Sequence, residues 1–418
     1  MDSGPRGGMR AFVPFTLPGE TIEAEIAEQR RGYLVGDLQQ IERESEFRTE
    51  PPCPWFGTCG GCQLQHADYA YQVQLKREML AESLARAGVR DLPEISSLTG
   101  LPFAYRNRVR LRMETRPGFA IGYRQAKSHH LVDIDRCPIA MPLLQNCIAA
   151  VRALGMQNAV PADTQELEIF TNGDESELLL TLWTGRQLDG AFYADFFAKL
   201  QKEIPQLMGA AVALNEKEQD RVPQSLLLWG RGHLRYRVAG RDYSVSLGSF
   251  FQVNASLLDR FVGAVVGGES GDLAWDLYAG VGLFARALSE RFQHVLAVES
   301  NPSAANDLHR NLQGTSAAAV NSITLEFLRK STRQKTKRRE PPPDLVLLDP
   351  PRAGAGLEVC RLLVQCRAKR IVYVSCDPAT LGRDLAALIQ SGYRLLSLQL
   401  VDMFPQTSHL ETIARLER

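Results

Sequence analysis

The chain has 418 residues, of which 44% are hydrophobic and 23% charged, and this composition excludes a disordered or membrane-embedded protein. Its length exceeds what one hydrophobic core needs and predicts two or three domains. The 48 basic residues balance the 48 acidic ones, so any contact with nucleic acid must come from local basic patches.

The N-terminal segment MDSGPRGGMRAFVPF has only a short apolar patch, which Pro14 interrupts, and it does not read as a secretory signal. No stretch approaches the roughly 18–20 apolar residues that cross a bilayer. We therefore expect a cytoplasmic protein.

Short strands are predicted between residues 9 and 50, in FVPF, TIEAEIAE and GYLVGDLQQIER, with a turn at Pro18-Gly19. Short strands separated by turns are typical of a small β-barrel, and such barrels often hold RNA.

Three cysteines then fall within ten residues, Cys53, Cys59 and Cys62 in PCPWFGTCGGCQLQH. A cytoplasmic location argues against structural disulfides, so a shared metal centre is indicated. Cys137 in DIDRCPI is the fourth ligand that its context favours. Structural zinc sites usually pair two C-x2-4-C units, and the second pair is missing here. An iron–sulfur cluster with one remote cysteine fits the spacing better, and zinc remains the alternative from spacing alone.

Residues 69–88 have helical periodicity that ends at Gly88, and residues 96–245 are rich in predicted strands. The alternating stretch FAYRNRVRLRMET places four arginines on one face of a strand. Further basic residues follow, and together they predict a surface that contacts phosphates. These residues are Arg106, Arg108, Arg110, Arg112, Arg116, Arg124, Lys127, His129 and His130. The stretch LEIFTNGDESELLLTLWTG predicts a hairpin with its turn at Asn172-Gly173.

From about residue 250, apolar runs alternate with helical segments, as in DLAWDLYAGVG, HVLAVES, PDLVLLDPPRAG and RIVYVSCDP. This order predicts an α/β fold with a doubly wound parallel sheet. The basic run from Arg329 to Arg339 is interpreted as mainly a solvated loop.

Ligands of such sheets bind at the carboxyl ends of the strands. The glycine turn of DLYAGVG follows Asp276, and Glu299 ends the next apolar run, at the spacing expected of a carboxylate that binds ribose hydroxyls. Because no phosphate-binding lysine or P-loop is present, the ligand is predicted to be a nucleoside without pyrophosphate, with S-adenosylmethionine as the candidate. Asp349 ends a third run, in DPPR.

Cys376 follows the run RIVYVS at the same edge, where a thiol can act as a nucleophile, whereas Cys147, Cys360 and Cys366 fall on helical segments and are interpreted as packing residues. The C-terminal stretch DMFPQTSHLE brings a carboxylate, Glu411, toward this edge. A thiol, a carboxylate and a methyl donor together indicate methylation of C5 of a pyrimidine. A free thiol is mostly protonated at neutral pH, so the site is expected to favour the thiolate.

With these motifs in place, the chain resembles the RNA uracil-C5 methyltransferases, specifically the branch with an iron–sulfur cluster that modifies bacterial 23S ribosomal RNA. The resemblance rests on LPGETIEAEI, PPCPWFGTCGGCQLQH, YRNRVRLR, SFFQVN, DLYAGVGLF, DPPRAG, YVSCDPATLGRDL and DMFPQTSHLET. It implies a Rossmann-like methyltransferase domain with a TRAM-like (OB-like) barrel before it.

The resemblance implies a role for each site residue. Cys376 is implied to be the nucleophile and Glu411 the base, and Phe250 is implied to stack on the target base. The implied cofactor contacts are Gln252, Tyr278, Gly280, Glu299 and Asp349. The implied ligands of a 4Fe-4S cluster are Cys53, Cys59, Cys62 and Cys137. Asp377 departs from the asparagine that usually follows the nucleophile in this family.

The predicted domains are a barrel over residues 1–50, a central domain with the cluster and the basic sheet over 51–245, and the methyltransferase domain over 246–418. We expect helix 69–88 to pack on the last of these, and we expect a monomer that binds RNA, most simply ribosomal RNA. A T-loop uridine of transfer RNA is the alternative target. Two other classes remain open, a base N-methyltransferase that uses DPPR and a non-enzymatic RNA-binding iron–sulfur protein that acts in assembly or sensing.

Overall fold

The N-terminal strands form a three-stranded sheet in the computed structural model, which describes residues 9–115, 118–126, 128–185, 190–214, 225–338 and 341–418. Its strands are β1 (Arg10–Phe12), β2 (Thr21–Arg30) and β3 (Tyr33–Arg43), in the order β1-β3-β2. β1 runs parallel to β3, and β2 pairs with β3 in antiparallel fashion. The predicted strands are therefore present, and their closure into a barrel stays a prediction.

The predicted helix after the cysteines is α1 (Tyr69–Arg86). Asp68 caps it, because its carboxylate accepts from the N–H groups of Ala70 and Tyr71. Leu80 and Leu84 are fully buried on its inner face. The short strand β4 (Ile95–Leu98) follows.

A seven-stranded sheet forms the middle of the chain, in the order β11-β10-β9-β8-β5-β6-β7. Its elements in chain order are β5 (Arg108–Glu114), β6 (Ala120–Arg124), β7 (Leu131–Asp133), α2 (Pro142–Met156), β8 (Thr164–Thr171), β9 (Leu178–Thr184), α3 (Gly190–Glu203), β10 (Leu207–Leu214) and β11 (Ser225–Gly230). β8 and β9 pair as the predicted hairpin. A separate hairpin follows, made of β12 (His233–Val238) and β13 (Arg241–Ser246).

The arginine-rich strand is β5, and its apolar residues are buried as the alternation predicts. On the other face, Arg110 and Arg112 both pair with the same carboxylate, Glu166 of β8. The Arg108 guanidinium lies 3.8 Å from the centroid of the Phe170 ring. This basic face is therefore partly neutralised. Arg116 and Lys127, which were predicted to extend it, lie outside the described residues.

The C-terminal part is built on an eight-stranded sheet, in the order β16-β15-β14-β17-β18-β20-β19-β4. Its elements in chain order are α4 (Leu258–Val266), β14 (Gly271–Leu277), α5 (Leu283–Leu288), β15 (Phe292–Glu299), α6 (Pro302–Asn311), β16 (Ala317–Asn321), α7 (Thr324–Arg338), β17 (Leu345–Leu348), α8 (Leu357–Cys366), β18 (Arg370–Ser375), α9 (Pro378–Gln390), β19 (Arg394–Val401) and β20 (Glu411–Glu417). Only β20 pairs with its neighbours in antiparallel fashion.

Two layers cover this sheet, which confirms the doubly wound α/β fold. Alternate strand residues enter two different apolar clusters, as Ala274 and Trp275 of β14 do. One cluster includes α4, α5 and the β12–β13 hairpin, and the other includes α1, α8 and α9. Helix α1 thus packs on the C-terminal sheet as predicted, and β4 extends the edge of that sheet.

The basic run from Arg329 was predicted to be mainly a loop, and this prediction is wrong up to Arg338, where α7 ends. Lysine, arginine and glutamine are good helix formers, and neither glycine nor proline interrupts the run. Arg339 lies outside the described residues.

Candidate active site

The site lies where the strand order reverses. From β14 the chain continues to β15 and β16 on one side, and β17 lies on the other side of β14. At such a point the connections leave the carboxyl ends of the strands in opposite directions and open a crevice. The turn Tyr278–Gly282 follows β14, Glu299 ends β15, and Asp349 follows β17. The predicted cofactor residues therefore meet at one edge of the sheet.

The glycine turn after β14 is fastened by Glu299. One oxygen of this carboxylate accepts from the Gly280 N–H at 2.8 Å. The other accepts from the N–H groups of Ser300 and Asn301, at 2.7 and 2.6 Å. Gly282 has φ +90°, and a Cβ there would lie 2.7 Å from a Leu308 methyl carbon, so the turn requires glycine at this position.

Gln252 belongs to the segment SFFQVN, which is anchored beside this edge. Its carbonyl accepts from the Asn107 side chain at 3.1 Å. The Ser249 hydroxyl lies 3.0 Å from that of Ser303, in the first turn of α6, which begins just after Glu299. The side chain of Phe250, which lies between Ser249 and Gln252 in the chain, is 66% exposed. An accessible ring thus stands next to the predicted cofactor contact.

Cys376 and Glu411 are brought together by strand register. β20 runs antiparallel between β18 and β19, and Ser375 of β18 is paired with Thr412 of β20. The next position outward on each strand is therefore Cys376 on one and Glu411 on the other. Cys376 is partly exposed, and Glu411 is buried, with one carboxylate oxygen that has no hydrogen-bond partner within the described part of the chain.

Asp377, the residue after Cys376, caps α9. Its carboxylate accepts from the N–H groups of Ala379 and Thr380, at 3.0 and 2.8 Å. Aspartate and asparagine are about equally good helix caps, so this residue is able to cap α9 as an asparagine would.

Burial, and after it the charges of neighbouring acidic groups, raise pKa values around Cys376. Burial, then the charges of Glu411 and Asp349, raise the pKa of the Cys376 thiol to about 11, and Arg352 opposes them. Burial and Asp349 raise the pKa of Glu411 well above its usual value, again against Arg352. Burial raises the pKa of Asp349 to about 7. Burial, and after it the charges of Glu411 and Asp349, thus favour the protonated thiol in the ligand-free protein. A thiolate at this site stays a prediction for the enzyme with its substrates bound.

Asp384 and Arg352 shape the site and were not singled out from the sequence. Asp384 of α9 is fully buried and accepts from the Tyr373 hydroxyl and the Ala355 N–H, both at 2.8 Å. These bonds fix the loop that carries Asp349 and Arg352. The arginine of DPPR was visible in the sequence, but only the fold shows that its charge acts on both the thiol and Glu411.

The four cysteines Cys53, Cys59, Cys62 and Cys137 line one cavity of about 380 Å³. Burial raises the pKa of Cys59, Cys62 and Cys137, and the charges of the neighbouring thiols raise those of Cys59 and Cys62 further. Across the residues that the structure describes, no group of three or more His, Cys, Asp or Glu side chains is arranged to hold a metal ion. The four thiols thus line one cavity, but they are not arranged around a single ion position.

The cysteine segment is close in space to the sheet edge that carries Cys376 and Glu411, although it is far from both in sequence. Arg352 and His409 line the same cavity as the four thiols. The N–H groups of Gln63 and Leu64 both donate to the Gln406 carbonyl at 3.0 Å, and the Gly60 N–H donates to the Arg124 carbonyl of β6 at 3.1 Å. The segment therefore joins the central sheet to the loop that precedes Glu411.

A doubly wound sheet in which β20 runs antiparallel between β18 and β19, with a glycine turn and carboxylates at the strand ends, is the arrangement expected of an S-adenosylmethionine-dependent methyltransferase. Within the described ranges, no helix is both long and apolar enough to cross a membrane.

Comparison with known proteins gives the family. Residues 68–418 match the family described as tRNA (Uracil-5-)-methyltransferase. An uncharacterized RNA methyltransferase of Aquifex aeolicus is 32% identical over 98% of this chain and 94% of its own length. The 23S rRNA (uracil(1939)-C(5))-methyltransferase RlmD of Pectobacterium atrosepticum is 32% identical over 97% of this chain and 88% of its own length.

A solved structure is also similar, that of the Pyrococcus abyssi tRNA (uracil-54, C5)-methyltransferase in complex with S-adenosyl-L-homocysteine. It is 26% identical, covers 97% of this chain and 94% of its own, and superimposes with a TM-score of 0.78. The chain belongs to the family of uracil-C5 RNA methyltransferases, and it is an enzyme that methylates RNA with S-adenosylmethionine.

Proposed function

We propose that this enzyme methylates C5 of one uridine in 23S ribosomal RNA, with Cys376 as the nucleophile and Glu411 as the base. The observation that carries the proposal is the register of β18 and β20, which sets the thiol opposite the carboxylate at the crevice. A base N-methyltransferase would need neither group.

The chemistry requires both side chains because C5 of uracil is a weak nucleophile. The Cys376 thiolate adds to C6, and the electrons of the C5=C6 bond move toward C5 and O4 as an enolate. C5 then attacks the sulfonium methyl group, the C5–CH3 bond forms, and the electron pair of the broken S–CH3 bond stays on sulfur, which leaves as S-adenosylhomocysteine. Glu411 removes the C5 proton, the C–H electron pair restores the C5=C6 double bond, and the C6–S pair returns to sulfur.

The raised pKa values suit the second half of this sequence. A carboxylate whose pKa is raised by burial is a stronger base than an exposed one, and Glu411 is buried. The thiol, by contrast, must lose its proton against its surroundings. The guanidinium of Arg352 is the cation that lowers the pKa of both groups, and we assign it the role of favouring their ionised forms.

The co-substrate site is assigned to Gln252, Tyr278, Gly280, Glu299 and Asp349. S-adenosylmethionine supplies an electrophilic methyl group on a sulfonium when it is bound. The turn at Gly280 lets a ligand approach the backbone closely, and the carboxylates at the strand ends suit a ligand with cationic groups. The exposed Phe250 ring is assigned to stack on the uracil once that base has left its helix.

We assign Cys53, Cys59, Cys62 and Cys137 to a 4Fe-4S cluster. The support is the donor set, because all four thiols line one cavity of about 380 Å³. The chain's own residues make this a structural site, because its backbone bonds join β6 to the Gln406 carbonyl. Protein purified without oxygen should contain about four iron and four sulfide per chain, and one zinc per chain would contradict the assignment.

The RNA target is proposed from relatives named for position 1939 of 23S ribosomal RNA that match along almost the whole chain. We place the enzyme in the cytoplasm with its substrate. The test is a map of 5-methyluridine in ribosomal and transfer RNA from a strain that lacks this protein. We expect one 23S site to lose its methyl group. Loss of a T-loop methyluridine in transfer RNA, with ribosomal RNA unchanged, would overturn this choice of target.

A further inference from the structure

The loop that precedes Glu411 is long, and α1 holds it in place. Nine residues, Asp402–Leu410, connect β19 to β20, and Glu411 is the first residue of β20. Register pairs Glu411 with Val401, the residue just before Asp402. Contacts that fix Asp402 and the loop after it therefore also fix two parts of the backbone next to the proposed base. These are the loop that leads into Glu411 and the end of the paired strand β19.

Lys76 is the strongest of these anchors. Its ammonium group donates to an Asp402 carboxylate oxygen at 2.6 Å and to the Phe404 carbonyl at 2.9 Å. Both side chains of the ion pair are completely buried. The pair is long-range in sequence, because helix α1 precedes the catalytic strands by several hundred residues. A buried charge without its partner is strongly unfavourable, so the two groups hold each other closely.

Gln72 adds a second anchor on the same face of α1, four residues before Lys76. Its amide donates to the Gln406 side chain at 3.0 Å, and its oxygen accepts from the Gln406 N–H at 3.1 Å. The central part of the chain contributes as well, because the Tyr105 hydroxyl donates to the Pro405 carbonyl at 3.0 Å. The loop is thus bound along its length by groups from outside the catalytic strands.

We propose that Lys76 is a positioning residue for Glu411. By holding Asp402 and Phe404 it sets the carboxyl of Glu411 at the reach needed to take the C5 proton. Lys76 itself takes no part in the chemistry, because its side chain is fully buried and its ammonium group donates to Asp402 and Phe404. The inference rests on the proposed role of Glu411 as base.

The assignment predicts which step fails. When Glu411 is displaced, thiol addition and methylation at C5 still occur, but the proton stays on C5 and the C6–S bond cannot break. The methylated RNA then remains covalently attached to Cys376. A variant that only unfolds the protein gives no such adduct, so the adduct separates positioning from stability.

The experiment measures turnover and the denaturant-resistant protein–RNA adduct on a uridine-containing RNA. We expect Lys76→Met to lower kcat about 100-fold, the loss typical of a catalytic group displaced by about 1 Å, with KM for RNA unchanged within about twofold. The adduct should accumulate as it does with Glu411→Gln. Arg86→Met is the matched control, because it removes an exposed ion pair with Glu82 on the same helix, and it should behave as wild type.

The double variant Lys76→Met, Asp402→Leu removes both buried charges and tests the case in which Lys76→Met does not fold. It should also accumulate the adduct, because the bond to the Phe404 carbonyl is lost. Full turnover without adduct in the folded single or double variant would overturn the positioning role. If Glu411→Gln itself forms no adduct, the proposed base is wrong. If Glu411→Gln forms it and the folded Lys76 variants do not, only this inference fails.

Discussion

Alkylation of Cys376 by iodoacetamide tests how the site controls its thiol. With a pKa of about 11 instead of 9.0, the thiol of the ligand-free enzyme should carry about 100-fold less thiolate near neutral pH than an ordinary cysteine. A more basic thiolate is intrinsically more reactive, with a Brønsted coefficient of about 0.4–0.5, which recovers up to about tenfold. The observed rate near pH 7.5 should therefore be lower by about tenfold.

The pH profile gives the sharper measurement. The rate at the Cys376 peptide, followed by mass spectrometry, should rise about tenfold per pH unit through pH 10, whereas an ordinary thiol levels off near pH 9. Cys147 is fully buried and should stay unmodified as long as the protein is folded. A rate that levels off at or below pH 9 would refute this account of the site.

Two substitutions test the causes of the shift. Glu411→Gln removes a negative charge that raises the pKa of Cys376, so alkylation at pH 9 should become faster although release of methylated RNA is lost. Arg352→Met removes the opposing positive charge and should slow alkylation. Equal rates in both variants and the wild type would show that burial alone sets the pKa.

Three further outcomes are expected. Turnover should rise as the pH goes from about 6 to about 9, because a group with a raised pKa keeps its proton at low pH and Glu411, as the proposed base, must act without one; a maximum near pH 6 would contradict this. Leu80→Ala should lower the free energy of unfolding by about 2–5 kcal/mol in urea, since Leu80 is fully buried, whereas exposed Met79→Ala should change it by less than about 0.5 kcal/mol. Gly122→Ala should lower the melting temperature, because its Cβ would lie 1.9 Å from a carbonyl oxygen of β7, and Gly118→Ala, with nothing within 4 Å, should not.

Much of the catalytic edge could be predicted because its signals are local. Apolar runs that end in Asp276, Glu299 and Cys376 identify buried parallel strands, and the fold class follows from their order. Helix α1 and the alternating burial in β5 were equally predictable, since each follows from the residue periodicity of a single segment.

What the sequence could not predict depends on contacts between distant segments. The pKa of Cys376 is raised first by burial and then by the charges of Glu411, on β20, and Asp349, which follows β17. None of these surroundings can be predicted from the residues next to Cys376 in the chain. In the sequence, nothing distinguishes Lys76 from other helical lysines. Its buried ion pair with Asp402 exists only because α1 packs beside that residue in the fold. The cysteine segment is far from Cys376 in the chain, but its backbone N–H groups donate to the Gln406 carbonyl, in the loop that precedes Glu411.

The most direct test of the central claim is to trap the enzyme on RNA that contains 5-fluorouridine at the target position, where no C5 proton can be removed. We expect a covalent adduct in which the methylated base is attached to the peptide that contains Cys376, and none with Cys376→Ala. Methylated RNA released without an adduct, or an adduct on any other residue, would contradict the account.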